Sequence, residues 1–450
     1  MFCFVGDTIL FSRLLDAVHS YVWGTGLIFL IFLTGAVILI KTEGFPLRKA
    51  LRIFSRREKT SKDGPSAFQS ASTALCATMG TGNIVGVAGA VALGGAGVVF
   101  WMWVSALFSM AVKFAEITLS VHYRQRDKNG SFLGGMMYCI KNGLPSVFLP
   151  LAYISAFCGL VSSFGTGNLT QTNTAVLNVY RFVREIIPYQ HNPLAFKLIL
   201  GVFCAGLVGA VLFKGETAIG RFCEKLFPFM TVAYLFLCFA VLIICRKNIP
   251  DVFAQILVGA FRPESATLGI VTSIPFVIKT GVSRGMFSNE AGLGTAPIAY
   301  SCADGKPCDL GLWGVFEVFV DTVLVCTLTA VTVLCATEIS YGVDAPDITL
   351  FAFSNILGRK ALLVFCPVLC FFAFSSIIGW GLYGTRFAAF LFGENAKKPF
   401  LAVFCLFCVI GAVAKAQTVW EISETLNGVM AWIGCTVILL LSNKIKECCE

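Results

Sequence analysis

Apolar stretches long enough to cross the hydrocarbon layer of a bilayer as a helix, about 20 residues, recur eleven times along this 450-residue chain. They fall at 21–40, 68–96, 98–121, 148–180, 197–213, 227–245, 266–300, 311–336, 361–391, 399–414 and 417–442. The pattern predicts an all-α integral membrane protein of about eleven transmembrane helices. Three connecting stretches, 215–226, 250–261 and Asp347–Leu357, mix polar and apolar positions and are expected as amphipathic helices at the membrane surface. The second, fourth and seventh segments are long and interrupted by glycine and polar residues.

Those interruptions carry the most information. Segment 2 contains Gly80-Thr81-Gly82-Asn83-Ile84-Val85-Gly86. Each internal glycine costs a helix about 1 kcal/mol relative to alanine. Non-helical backbone at membrane depth is tolerated only where it lines a cavity or is buried in protein. An unwound turn there frees carbonyls for a cation and amides for an anion. Segment 7 contains Lys279-Thr280-Gly281-Val282-Ser283-Arg284-Gly285, then Ser288-Asn289-Glu290-Ala291-Gly292. Its break is expected near Thr280 and Gly281, with Arg284 and Glu290 as an internal gate or ion pair. The two interrupted segments are five apart in order. That spacing predicts two five-helix repeats of opposite topology, 67–245 and 246–450. Residues 1–66 then form an extra helix and a basic loop.

Other segments add polar groups at depth. Asn168 and Gln171 in segment 4 are three apart and share a helix face. Ser375 and Ser376 in segment 9 offer oxygens to a hard cation, and Trp380 lies too deep for an interfacial belt. Lys113 and Glu116 pair within segment 3, and Glu317 and Asp321 lie one turn apart in segment 8. The two carboxylates suit a cation, a shared proton or a structural network.

Composition narrows the class. Hydrophobic residues make up 57% and charged residues 13% of the chain, and its mean hydropathy is +0.82, against about 25% charged in soluble domains. This excludes a nucleic-acid binder, a disordered chain and an ordinary soluble enzyme. The 19 Cys are scattered through apolar runs and the three His lie near membrane ends, so they read as packing residues and not as metal ligands. No cleavable signal peptide is visible at the start. Loop 41–66 alone holds eight Lys and Arg, which puts it in the cytoplasm. Alternating from there gives 21 basic residues inside and 10 outside, with the N-terminus outside, the C-terminus cytoplasmic and the chain in the cell membrane.

The run Gly80 to Val87, Gly94-Gly95-Ala96-Gly97 with Phe100-Trp101-Met102-Trp103, Gln171-Thr172-Asn173, Arg284 to Gly294 and Phe374 to Trp380 resemble the alanine/glycine:cation symporter family over roughly residues 66–430. The resemblance implies a LeuT-type fold with two discontinuous helices, no enzymatic activity, and sodium-driven import of alanine or glycine by alternating access. It places substrate between segments 2, 4, 7 and 9. The implied substrate residues are Thr81, Gly82, Asn83, Gln171, Asn173, Thr280, Gly281 and Trp380. The implied sodium ligands are the carbonyls near Cys76 and Met79 with the hydroxyls of Ser375 and Ser376. No organic cofactor is implied. A proton-coupled carrier of small amino acids and a channel remain alternatives. Some positions depart from the family pattern, with Met136 in Gly134-Gly135-Met136-Met137 and Ala96 standing where the family has proline.

Overall fold

The computed structural model describes residues 14–54, 65–127, 130–186, 192–262, 273–336, 345–414 and 417–450. These residues are almost wholly helical. The exception is a two-stranded ribbon, in which Gln125 pairs with Leu133 and Arg126 with Phe132. Helix α1 (Thr25–Lys41) precedes ten further helical units. The first half holds α2 (Ala67–Thr78) and α3 (Val85–Gly94), α4 (Gly97–His122), α5 (Leu149–Phe164) running into α6 (Thr170–Ile186), α7 (Pro193–Leu212) and α8 (Glu216–Ile244). The connecting helix α9 (Ile249–Phe261) follows. The second half holds α10 (Ile274–Asn289) and α11 (Ala296–Ser301), α12 (Pro307–Val318) running into α13 (Thr327–Ala336), then α14 (Ala345–Leu357), α15 (Leu362–Phe392), α16 (Lys397–Val413) and α17 (Gln417–Leu440).

Among the described residues, nine helices are long and apolar enough to span a bilayer, and the α2–α3 pair, bent by 62°, makes a tenth. The remaining expected segment, the seventh, corresponds to the pair α10 and α11. The halves correspond element by element. Each opens with a broken span, and each inserts a short helix between its second and third spans: Met136–Gly143 in the first half and α14 in the second. The extra helix α1 packs on α4 and α17. There Trp23 donates to the Glu424 carbonyl and Trp432 to the Val22 carbonyl.

Local chemistry sets the helix ends. Ser66 and Gln69 form a reciprocal capping box at the start of α2, which satisfies two amides with no intrahelical partner. Asn192 accepts from the amides of Leu194 and Ala195 ahead of Pro193, where α7 begins. Lipid-facing positions are large and apolar: Phe203, Phe236 and Ile243 are each more than 60% exposed.

Two expectations are corrected. Residues 215–226 are not a separate surface helix. They are the first turns of α8, because Ile219, Cys223, Leu226 and Phe227 continue one buried stripe into the span. The seventh segment is not broken at Thr280 and Gly281, which lie inside continuous α10. Gly281 and Gly285 are there for packing: a Cβ on Gly281 would sit 2.5 Å from the Val98 carbonyl oxygen, and one on Gly285 would overlap the Ser105 hydroxyl of α4. The helix ends ten residues later, where Glu290, Gly292 and Gly294 all have positive φ. By contrast, 250–261 and Asp347–Leu357 are helices, as expected.

The glycine seam yields a prediction. Gly281→Val should overpack α10 against α4, cost about 1–3 kcal/mol and lower the thermal unfolding midpoint in detergent. Unchanged stability with altered substrate affinity would instead make Gly281 a binding residue.

Candidate functional site

The first break is built by residues that cannot hold a helix and by partners that make the unwound form tolerable. Helix α2 stops at Thr78; Met79 and Gly80 leave helical geometry, and Thr81–Asn83 form one 3₁₀ turn before α3. The Gln171 Oε1 accepts from the Thr81 amide at 3.1 Å and from the Thr81 hydroxyl at 2.9 Å. Its Nε2 donates to the Thr166 carbonyl at 3.3 Å, in the π-helical turn Gly165–Leu169 that separates α5 from α6. From α10, the Arg284 guanidinium donates to the Gly82 carbonyl and lies over the Phe287 ring, 5.1 Å from its centroid. A side chain at Gly86 would overlap that guanidinium. Asn83 is buried and donates to the Ser288 hydroxyl at 2.9 Å and to Asp321 Oδ1. Asp321 also accepts from Ser288 at 2.7 Å and from Thr322 at 2.9 Å. It lies in a second π-helical stretch, Phe319–Cys326, between α12 and α13.

The second break is held by charge. The Glu116 Oε2 accepts from the amides of Gly292 at 3.0 Å and Gly294 at 3.2 Å. Lys113 Nζ lies 3.4 Å from Glu116 and 3.2 Å from Glu317, all three side chains fully buried. Glu290 accepts from Thr295 at 2.7 Å and from the Trp380 indole at 3.1 Å. The expected Arg284–Glu290 pair does not form: Arg284 serves the first break and Glu290 the second.

Between the breaks lies a cavity of about 30 Å³. Gly80, Gly82 and Asn83 line it from the first break, Thr166 and Gln171 from the third span, and Ser376 and Trp380 from α15. Ala77 and Thr78 at the end of α2, with Arg284, Phe287, Ser288, Glu290 and Asn427, complete the wall. Three polar atoms of the residues in this wall are buried and find no hydrogen-bond partner among the described residues: Asn83 Oδ1, Asn427 Oδ1 and Arg284 Nε. Beside it, oxygens from two elements converge. The Ser376 hydroxyl is 2.9 Å from the Ala77 carbonyl, and the Ser375 hydroxyl is 3.4 Å from the Met79 carbonyl. Gly379 permits the approach, since a Cβ there would strike the Ala77 backbone. Such an all-oxygen set has the chemistry a hard cation requires.

The structure thus brings together Thr81, Gly82, Asn83, Gln171, Trp380, Met79, Ser375 and Ser376. Three expected substrate residues stand apart. Asn173 donates to the Gly411 and Ala414 carbonyls at 2.9 and 2.8 Å, closing the end of α16. Gly281 belongs to the seam with α4, and Thr280 packs near Gly94 at the end of α3. The Cys76 thiol points to the Cys223 carbonyl, 3.9 Å away, and the carbonyl paired with Ser376 is that of Ala77. The sequence reading passed over Thr166, Phe287, Ser288 and Asn427. A signal existed for Asn427, an amide in mid-span of the last apolar run.

The profile of the sodium:alanine symporter family matches residues 8–450. The sodium/alanine symporter AgcS of Methanococcus maripaludis is 36% identical over 447 residues, covering 97% of this chain and 96% of its own. The probable sodium/glutamine symporter GlnT of Bacillus subtilis is 32% identical over 393 residues, 86% of this chain and 78% of its own. Among solved structures, MhsT in complex with L-phenylalanine superposes with a TM-score of 0.57 at 14% identity, covering 86% of this chain and 90% of its own. That likeness is one of fold, the LeuT-type arrangement of two inverted five-helix repeats.

Asp321 tests the anchoring of the first break. Asp321→Ala would take this acceptor from Asn83, Ser288 and Thr322, leaving Asn83 with the Ser288 hydroxyl, and should cost at least about 2 kcal/mol. Asp321→Asn keeps one acceptor oxygen and should cost less. Thermal unfolding of both variants in detergent checks this. Midpoints equal to the parent's would remove the anchoring role.

Proposed function

Because the chain belongs to the sodium:alanine symporter family and is a cation-coupled amino-acid transporter, we propose that it imports alanine or glycine together with sodium by alternating access. One observation carries this reading: the oxygens of Ala77, Met79, Ser375 and Ser376 meet at the break that also lines the small cavity. A sodium ion held there would tie the end of α2 to α15. The same ion would add positive charge beside a cavity suited to a zwitterion.

In this reading the substrate carboxylate meets the amide-rich turn at Thr81 and Gly82, where a helix start is partly positive. The unpaired Arg284 Nε lies on the same wall. The ammonium takes the acceptors left over, Asn83 Oδ1 and Asn427 Oδ1. Gln171 acts through Thr81, since its carbonyl oxygen already accepts two hydrogen bonds. The methyl group meets the Trp380 indole, which Glu290 holds in place. Moving one sodium charge across 100 mV yields about 2.3 kcal/mol, and a tenfold sodium gradient adds about 1.4 kcal/mol. Together they support accumulation of several hundredfold for one ion per amino acid. The division into repeats at 67–245 and 246–450 belongs to this proposal, as does a cell-membrane location with the C-terminus in the cytoplasm.

Labelled alanine uptake into proteoliposomes tests the proposal. Uptake should require sodium, carry net positive charge inward and be displaced by glycine more readily than by glutamine. Ser376→Ala should raise the half-saturating sodium concentration several-fold while leaving alanine affinity at saturating sodium nearly unchanged. Uptake that ignores sodium and collapses with a protonophore would make the proton the coupling ion. Displacement by glutamine ahead of glycine would overturn the small-substrate assignment.

A further inference from the structure

Far from the cavity, four sulfur and imidazole groups gather where the last helix meets the bundle. The short helix Ser442–Cys449 follows α17 and packs against α1, α4 and α12. Its start is fastened by Lys41, whose ammonium donates to Ser442 at 2.8 Å and to Asn443 at 2.6 Å. At its other end the Cys449 Sγ lies 3.2 Å from the Sγ of Cys308, the second residue of α12. Cys448 points elsewhere, 3.7 Å from His122 Nδ1. Cys308 is 7% exposed, whereas Cys449 is half-buried and open to a small reagent. The hydrogen bond with Cys308 holds the Cys449 thiol below the ordinary thiol range. That raises its thiolate fraction, and the thiolate is the reactive form. Cys204 and Cys408, another neighbouring pair, lie instead within the spans α7 and α16, and Cys408 is buried.

We propose that Cys449 and Cys308 form a peroxide-reactive dithiol whose oxidation fastens the C-terminal helix to the start of α12. The Cys449 thiolate attacks one oxygen of a hydroperoxide such as hydrogen peroxide. The O–O bond breaks, hydroxide leaves and takes a solvent proton, and Cys449 becomes a sulfenic acid. The Cys308 sulfur then attacks the Cys449 sulfur. The S–S bond forms, the S–O bond breaks, and water departs with the Cys308 proton. Two thiols lose two electrons and the peroxide gains them. The sulfur atoms start about 1.2 Å beyond bonding separation. On the cytoplasmic orientation proposed above, both thiols are reduced at rest, so the bond forms only under oxidative load and a thiol reductant reverses it. The consequence reaches the transport site through α12, which carries Glu317 and leads into the π-helical stretch where Asp321 anchors Asn83. Bracing α12 against α1 and α4 restrains that element.

The test uses the purified full chain in proteoliposomes, treated with hydrogen peroxide, then alkylated, digested and analysed by mass spectrometry. A Cys308–Cys449 linked peptide should appear first and vanish with dithiothreitol. In Cys308→Ser, which keeps a hydrogen-bond donor beside Cys449 but no resolving thiol, dimedone should capture a sulfenic acid on Cys449. Oxidation should slow alanine uptake by roughly fivefold or more, the scale of an allosteric coupling. Cys449→Ser should keep its untreated rate in peroxide. The proposal fails if both thiols remain alkylatable while other cysteines oxidise, or if dimedone marks Cys448 instead of Cys449. The transport effect rests on the symport reading. Absence of uptake in the untreated parent would count against that reading, while the peptides judge the dithiol on their own.

Discussion

Inside a membrane a peptide group that leaves the helix has no water to turn to, and each orphaned group costs several kcal/mol. Among the described residues the chain breaks a span twice, and much of its polar chemistry answers that cost. Gln171 accepts from Thr81, and Arg284 donates to Gly82, across the first break. Glu116 accepts from Gly292 and Gly294 across the second. The partners come from neighbouring spans, so each break is also a joint that locks several helices together. Charges are recruited where neutral groups would not suffice: Lys113 sits between Glu116 and Glu317 with no exposure at all. A buried network of this kind contributes little net stability compared with an apolar core. Its value is that it fixes where the backbone stays open.

What the scaffold leaves unsatisfied then defines the site. Three residues that line the cavity, Asn83, Asn427 and Arg284, each carry a buried polar atom with no hydrogen-bond partner among the described residues. At the end of α2 two oxygen pairs join it to α15, Ala77 with Ser376 and Met79 with Ser375. In the proposed reading both sets share the Met79–Ile84 turn. A cation that orders the turn would therefore also order the groups that receive the amino acid. The same logic explains the close approach at Gly379. A side chain there would push α15 off α2 and separate the hydroxyls of Ser375 and Ser376 from their carbonyls.

Much of this was legible in the sequence, because glycine density at membrane depth has few explanations. The first break, the repeat spacing, the paired serines and the depth of Trp380 all followed from residue type and position. The second break was located wrongly for a physical reason. Gly281 and Gly285 look like Gly292 and Gly294 in sequence, and only the partner differs: the first two meet the backbone and Ser105 of α4, the latter two the carboxylate of Glu116. Asn173 was avoidable. It lies two residues from Gln171, and positions two apart on a helix do not share a face. Asn427 was missed because the last span was read as plain apolar helix. The pairing of Asn83 with Asp321 joins residues 238 positions apart, which no local pattern can reveal.

The central claim is that one unwound turn serves both the cation and the amino acid, which makes their binding mutually dependent. Reciprocity is then obligatory: sodium must tighten alanine by the same factor by which alanine tightens sodium. Equilibrium binding of labelled alanine at zero and saturating sodium, and of sodium at zero and saturating alanine, measures both factors on detergent-purified protein. Equal factors of about tenfold or more are expected, and Ser376→Ala should preserve them while raising the sodium concentration at which they are reached. Alanine binding of undiminished affinity in sodium-free buffer would contradict the central claim.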